Sequence, residues 1–550
     1  MAAGPSGAAL FVWGTWAVLL LAALALVACY GRNVPHWDDW MFLPVMAGAR
    51  PVTLAWLWAQ YYEHRIPLPK LVLVALYRLS GGDLRAGMYL NVLAMGGLAG
   101  ALLWAVRRLR GRWTYTDAVF PLALLHGGHA FNFLWCNIVL YTIQVVLLGV
   151  LLVVIVLGVP RPMLGGSLLA GLGLVCLPVS QGLPFVPFLA LWLGYAGWLH
   201  WRSSRPGRRP IALVLWGAMA AGLLLVGAYF IGYHRHIYVP PPARLGDVVR
   251  TGLMFLINGY GPIAYAQVSG TGTKTSALPS QWPASTVILS LGLIGVGVLA
   301  IEGYRALRGH RRAVGLPMFL GGLSVLMAAL AAGRNDYSYW KPWAAVTWGL
   351  FLTSIVALAA EGYRSPRQRC RAVGLLMFLG GITALTAALG WCRAAYGYDA
   401  GLQPRYPILV APVFCCLYFA LEVCGPRALT RAAQLLLFAL LLAAGLLNVR
   451  DGVEIGKSLQ TCYDAFERDV RCGLPPYRLQ ARHYAAIFSP FDAQYLPLLQ
   501  RAGVSCLRDL RADPPFREVP LALPPTALHQ ATWRAGTVFT TGADSYLEFA

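Results

Sequence analysis

The sequence predicts an all-α polytopic membrane bundle of about 11–13 transmembrane helices, with a small mixed α/β domain at the C-terminal end. Three observations carry this. First, the 550 residues are 58% hydrophobic, with a mean hydropathy of +0.60. Second, only 12% are charged, against roughly 25% in a soluble domain. That is too little polar surface to coat a water-soluble globule, so the apolar excess must face lipid. Third, apolar runs near the length that crosses a hydrocarbon core recur along the chain, separated by short arginine clusters. The formal charge of +22 is therefore the arginine bias of membrane loops, and no nucleic-acid partner is expected.

Taken in order, spans fall near 9–30, 86–106, 116–134, 138–158, 164–180, 183–199, 211–232, 285–304, 313–333, 343–362, 372–391, 407–424 and 430–448. The first apolar run, Leu10 to Cys29, reads as a retained helix, because no small-residue cleavage site leads from it into a soluble domain. The third span is polar near His126 and His129, and the turn Ser180-Gln181-Gly182 allows a re-entrant pair, which sets the lower bound on the count.

Arginines fix the expected orientation. With the N-terminus in the cytoplasm, clusters at 107–112, 161, 202–209, 305–312, 364–371 and 427–431 all fall on the cytoplasmic side of alternate crossings. The loops 31–85 and 233–284 and the tail 449–550 then lie outside, in a bacterial-type inner or plasma membrane. The expected division is a membrane domain over 1–448 and an extracytoplasmic domain over 449–550. The tail alternates amphipathic stretches with Pro-rich turns, and Gly536 to Phe549 reads as short strands that stop at the end of the sequence, so this domain is expected to be incomplete. A tandem repeat also stands out: Glu302-Gly303-Tyr304-Arg305 recurs as Glu361-Gly362-Tyr363-Arg364, and Arg312-Ala313-Val314-Gly315 as Arg371-Ala372-Val373-Gly374. Two crossings restore orientation, so this duplication of a helix hairpin differs from the inverted repeats of many transporters.

Most of the 11 cysteines sit in or beside apolar segments, where they act as small hydrophobes. Cys462, Cys472 and Cys506 fall in the tail; outside the cytoplasm two of them can pair, and spacing does not choose which.

The first outer loop is the most informative segment. It holds His36-Trp37-Asp38-Asp39-Trp40 and Tyr61-Tyr62-Glu63-His64-Arg65-Ile66-Pro67 in a chain where charge is scarce. Adjacent carboxylates repel, which raises the pKa of one and offers a general base or a hydrogen-bonded acid. The plainer alternative is a solvated loop whose acids balance Arg32 and Arg65. Trp37, Trp40, Trp56 and Trp58 fit either an interfacial belt or a sugar-stacking surface. Glu63, His64 and Arg65 are candidates for substrate binding, with Glu63 orienting acceptor or ion and Arg65 holding phosphate; they serve equally as interface anchors.

A third cluster, Tyr396, Tyr398, Asp399, Gln403, Pro404, Arg405, Tyr406 and Pro407, lies at the outer mouth of a late span. A guanidinium is a permanent, planar, bidentate donor suited to charge on phosphate oxygens. Arg405 is the first candidate, with Tyr406 beside it. Arg334 and Arg393, equivalent in the duplication, follow. An interfacial snorkelling arginine is the alternative. His126-Gly127-Gly128-His129, with Asn132 and Asn137, reads as the polar rim of an outer loop rather than a metal site, since no third ligand is evident. In loop 233–284, His234-Arg235-His236 and the stretch 269–276 read as a mobile lid or a plain connection.

The order of a single N-terminal span, an outer acidic loop directly after it, many further spans and an outer C-terminal domain resembles the family C (GT-C) membrane glycosyltransferases over roughly residues 1–450. An Arg-Tyr pair before proline and a late span, as in Arg405-Tyr406-Pro407, is similar to a recurrent feature of bacterial members. The resemblance implies that Asp38 or Asp39 is the catalytic base, taking the proton of an acceptor hydroxyl as sugar leaves a polyprenyl-phosphate carrier. It implies partners to match: a polyprenyl-phosphate-linked sugar, an acceptor glycan, lipid or protein, and membrane lipid. No cofactor is required by this chemistry, and paired acids leave room for a divalent metal. The rival readings are a transporter or flippase of lipid-linked saccharide, and a non-catalytic membrane scaffold.

Overall fold

The computed structural model describes residues 6–157, 164–203, 208–234, 241–242, 244–262, 340–365, 368–397, 400–424, 427–484, 487–488, 495–510, 539–541 and 544–546. Among these, seven helices are long and apolar enough to cross a membrane: Gly7–Tyr30, Arg85–Arg110, Cys136–Leu157, Leu183–Trp201, Arg208–Phe230, Arg369–Tyr396 and Thr430–Arg471. The chain is a multi-pass membrane protein.

The first helix, α1 (Gly7–Tyr30), begins at Ser6, whose side chain accepts from the Ala9 amide at 3.3 Å. Residues 31–84 then fold into three short helices, α2 (Asp39–Met46), α3 (Leu54–Trp58) and α4 (Pro67–Leu79), before α5 (Arg85–Arg110) returns across the bundle. Arg110, at the end of α5, pairs with Asp117 at 2.7 Å and Glu422 at 2.6 Å. The first turns of α1 lie there too, with Phe11 edge-on to Tyr115. One end of the bundle is thus marked by a buried ionic knot; residues 31–84 occupy the other.

The expected span 116–134 is not one helix. It is α6 (Val119–Leu125), a break, and α7 (Ala130–Phe133), continued by α8 (Val139–Leu157). The His126-Gly127-Gly128-His129 segment makes the break and is buried in the bundle, not set on an outer loop. His126 Nδ1 accepts from the Gly128 amide at 3.0 Å while Nε2 donates to the Gly259 carbonyl, and His129 Nε2 donates to the Ala123 carbonyl. The rings thereby satisfy backbone groups that the interrupted helix leaves open, the condition under which irregular backbone persists at membrane depth.

Next come α9 (Leu164–Cys176), α10 (Val186–Trp201), α11 (Arg208–Phe230) and α12 (Leu245–Ile257), then α13 (Trp340–Arg364), α14 (Arg369–Arg393) and α15 (Pro407–Cys424). The expected spans 164–180 and 407–424 are represented by shorter apolar helices. Those at 285–304 and 313–333, with the first copy of the repeat, lie outside the described residues, as does most of loop 233–284.

α16 (Arg427–Arg471) is a single helix of 45 residues, about 67 Å long at 1.5 Å per residue. It runs without interruption through the expected boundary at 448/449 and stands well beyond a hydrocarbon core of about 30 Å. Its far half packs with residues 31–84 and with α17 (Pro476–His483) and α18 (Leu496–Arg501) around one buried core that joins Trp40, Leu43 and Ile66 to Tyr463, Phe466 and Leu499. Trp40 is fully buried, stacked on Phe488 with centroids 4.8 Å apart. The expected mixed α/β domain is not formed among the described residues: Leu479, Leu496, Leu499 and Leu507 bury helical faces. The only extended pairing there is a hairpin of three-residue strands, β1 (Phe539–Thr541) and β2 (Asp544–Tyr546). Cys462 and Cys472 are free thiols.

Candidate active site

The two adjacent aspartates of the first loop have separate environments. Asp39, in the first turn of α2, is 4% exposed. Its Oδ2 accepts from the His36 amide at 3.0 Å, and the Trp135 indole donates to the carbonyl of the same His36 at 3.0 Å. Burial, reinforced by the Asp38 charge, pushes its carboxyl up to about 8. Asp39 is thus a closed internal cap whose burial favours the protonated form, so of the two candidate bases Asp38 is the more accessible. Asp38, one residue earlier and half-buried, receives the Tyr62 hydroxyl at 3.5 Å. Its charge also reaches Tyr61, Tyr141 and Arg405.

The segment is stapled from the C-terminal side. The Trp37 amide donates to the Ile487 carbonyl at 2.8 Å, and the Trp40 indole donates to the same oxygen at 3.0 Å. Trp37 is held at φ +43°, an uncommon conformation for a bulky side chain. Tyr62, at φ +47°, is the second such residue in the loop. It sits in a tight turn closed by Tyr61 N to His64 O at 2.6 Å and His64 N to Tyr61 O at 2.8 Å. Backbone strain of this kind persists where surrounding contacts over-determine it, as at ligand sites.

That turn delivers Glu63 and His64 to the guanidinium groups of the late cluster. Glu63 Oε1 lies 3.3 Å from Arg393 Nη1. His64 is half-buried, and desolvation together with Arg393 and Arg405, opposed by Glu63, lowers its imidazole to about 4. It is neutral at physiological pH. Arg65 turns away. Its Nε, Nη1 and Nη2 donate to the carbonyls of Tyr229 at 2.9 Å, Trp58 at 2.7 Å and Ile231 at 2.8 Å. With every limb of the fork engaged by backbone, Arg65 is a structural tie, which corrects its expected role as a phosphate partner. Arg32 pairs with Asp464 at 2.7 Å; neither it nor Arg65 balances the loop aspartates.

Arg405 differs from both. Its Nε is buried with no hydrogen-bond partner among the described residues, and no ion pair engages its side chain there. Burial works against the charge, but Tyr406, Tyr141 and Asp38 outweigh it and keep the guanidinium protonated, above its ordinary pKa. The backbone beneath is fixed by two buried amides: Asn132 Nδ2 donates to the Arg405 carbonyl at 2.9 Å and Asn258 Nδ2 to the Gln403 carbonyl at 2.7 Å. Tyr406 is buried, its ring 5.5 Å from the Arg405 guanidinium. Arg334, Tyr398 and Asp399 lie outside the described residues.

Asp38, Glu63, His64, Arg393, Arg405 and Tyr406 therefore meet at the end of the bundle opposite the ionic knot. Sequence reasoning missed Tyr141, which comes from the third residue of α8 and is indistinguishable by sequence from an interfacial belt tyrosine, and the Ile487 carbonyl, which no side-chain motif reports. Among the described residues there is no group of three or more His, Cys, Asp or Glu side chains placed to hold a metal. No protein-family model, curated protein or solved structure matches the chain.

Proposed function

We propose that the protein is an integral membrane glycosyltransferase that moves a sugar from a polyprenyl-phosphate carrier to an acceptor on the non-cytoplasmic side. One observation carries the reading: a half-buried carboxylate, Asp38, shares an electrostatic cluster with a guanidinium, Arg405, that has no protein counter-ion among the described residues. A half-buried cation with a buried, unpartnered Nε favours an incoming anion, and a nearby carboxylate supplies the base that an attacking hydroxyl needs.

In the proposed step Asp38 takes the proton of the acceptor hydroxyl. The acceptor oxygen bonds to the anomeric carbon as the bond from that carbon to phosphate breaks. The electron pair leaves with the lipid phosphate, whose charge Arg405 stabilises, with Arg393 beside it. In-line displacement inverts the anomeric centre. The arginine-rich loops support assigning the ionic-knot end to the cytoplasm and the Asp38–Arg405 end to the other side.

The test is transfer in proteoliposomes from a panel of polyprenyl-phosphate sugars. Asp38→Asn and Arg405→Gln should each lower turnover by about 100-fold or more with folding intact. Undiminished transfer in Asp38→Asn rejects the assignment.

A further inference from the structure

A second feature lies on the same side of the molecule and is not used by that chemistry. Between the end of α2, the end of α4, the far half of α16 and the segment 502–509 there is an open cleft of about 620 Å³, within the range of sites that hold small organic ligands. Its character is polar. Asn33, Arg78, Glu467, Arg471, Arg508 and Asp509 line it. Gly81 and Gly503 adopt φ +67° and +65° with open space where a Cβ would stand, which keeps the walls free of side chains. This excludes a prenyl tail or an apolar helix as the occupant, because such groups would strand the lining donors and acceptors.

We infer that this cleft binds an anionic oligosaccharide, and that it holds the distal part of the acceptor glycan. Planar carboxylates, amides and guanidiniums are the groups that pair with vicinal hydroxyls. The sign of the ligand follows from the unpaired charges. Arg471 is engaged by Glu467 at 3.3 Å. Neither Arg78 nor Arg508 forms an ion pair among the described residues; Arg78 only donates to the Val45 carbonyl at 3.4 Å. Among the described residues two guanidiniums without an ion pair share the cleft with one unpaired carboxylate, Asp509, leaving a net site for a carboxylate or phosphate on the sugar. The reach also fits: α2 starts beside Asp38 and ends at Met46 in the cleft wall, a rise of about 12 Å, which a chain of a few sugar units bridges. The binding stands on the cleft alone; its use as an acceptor site rests on the glycosyl-transfer reading.

The experiment measures binding of fluorescent oligogalacturonate and of a neutral maltooligosaccharide of equal length to the full-length protein in nanodiscs. Oligogalacturonate should bind, weaken with salt, and lose about tenfold or more in affinity in the Arg78→Ala/Arg508→Ala double variant, whose exposed positions leave thermal unfolding unchanged. The neutral glycan should bind more weakly and be unaffected by the double variant. Asp38→Asn should keep oligogalacturonate affinity while losing transfer, and the double variant should keep donor turnover to water while raising the acceptor KM. No oligogalacturonate binding, or binding indifferent to both arginines, overturns the inference. Loss of transfer with cleft binding intact leaves it standing, and cleft binding without any glycosyl transfer sinks the enzymatic reading alone.

Discussion

Asp39→Asn separates the two loop aspartates. Asp39 is held at about 8 in the folded protein by burial and the Asp38 charge, against roughly 3.9 for an unfolded aspartate. Between those values the folded state keeps a proton that the unfolded chain has released. The stability that this group contributes is therefore greatest below pH 4, falls as pH rises towards 8, and levels off above it. The slope is about 1.4 kcal/mol per pH unit, so raising the pH from 5 to 8 costs up to about 4 kcal/mol. Asparagine cannot ionise and retains an oxygen to accept the His36 amide, so the variant should lack this slope. The assay is thermal unfolding of the detergent-purified wild type and Asp39→Asn at pH 5, 6, 7 and 8, with transfer activity measured beside it. The wild type should lose melting temperature with rising pH relative to the variant, and the variant should remain active where Asp38→Asn is not. Parallel pH curves would refute the closed-cap assignment, and an inactive, well-folded Asp39→Asn would return it to the chemistry.

Three other outcomes follow from particular contacts. Arg110→Met should destabilise the bundle by about 3–5 kcal/mol, because it strands the fully buried Asp117 carboxylate; adding Asp117→Asn and Glu422→Gln should restore most of the loss in a melting assay. Trp40→Ala should cost about 3–5 kcal/mol and expose residues 477–510 to limited trypsin digestion before the spans are cut, since Trp40 is packed on Phe466 and Phe488; simultaneous cleavage would show that the tail does not depend on it. Arg65→Gln should lower melting temperature through three lost carbonyl bonds while the folded fraction keeps its donor KM, whereas a selective rise in that KM would restore Arg65 to the phosphate site.

Much of the architecture was legible because lipid imposes simple rules. Spans of continuous apolar residues announce themselves by length, and the helices starting near 7, 85, 136, 183, 208 and 369 follow those runs closely. The break at His126 was visible only as polarity, since the sequence does not say that the two imidazoles replace lost helical hydrogen bonds. The tail misled for a related reason. Its Pro-rich turns and alternating end suggest strands, but its leucines find their partners on α16 and on the first loop, in contacts separated by more than 400 positions such as Trp40 with Phe466. Within the site, residue chemistry nominated Asp38, Glu63 and Arg405, whose charges reach a common set of neighbours. It could not distinguish Arg65 from Arg405, because both are arginines beside tyrosine-rich turns at helix ends. What separates them is which backbone carbonyls lie within reach.

That difference in partners is the physical centre of the functional reading. Burying a donor without an acceptor costs about 1–3 kcal/mol, and more when it is charged. Arg65 avoids this cost through three carbonyls, and Arg393 through Glu63 at 3.3 Å. Among the described residues Arg405 does neither, although its Nε is buried and its backbone is locked by Asn132. The described neighbours that keep it charged are tyrosines and Asp38, none of them joined to it in an ion pair. His64 beside it stays neutral and so adds no competing positive charge. A fold that fixes the carbonyl of Arg405 with one buried amide and leaves its guanidinium open has stabilised the position of a cation without neutralising it. Under the proposed function, an anion arriving from outside the chain would remove that deficit, and the free energy released would be available to orient the sugar it carries against Asp38.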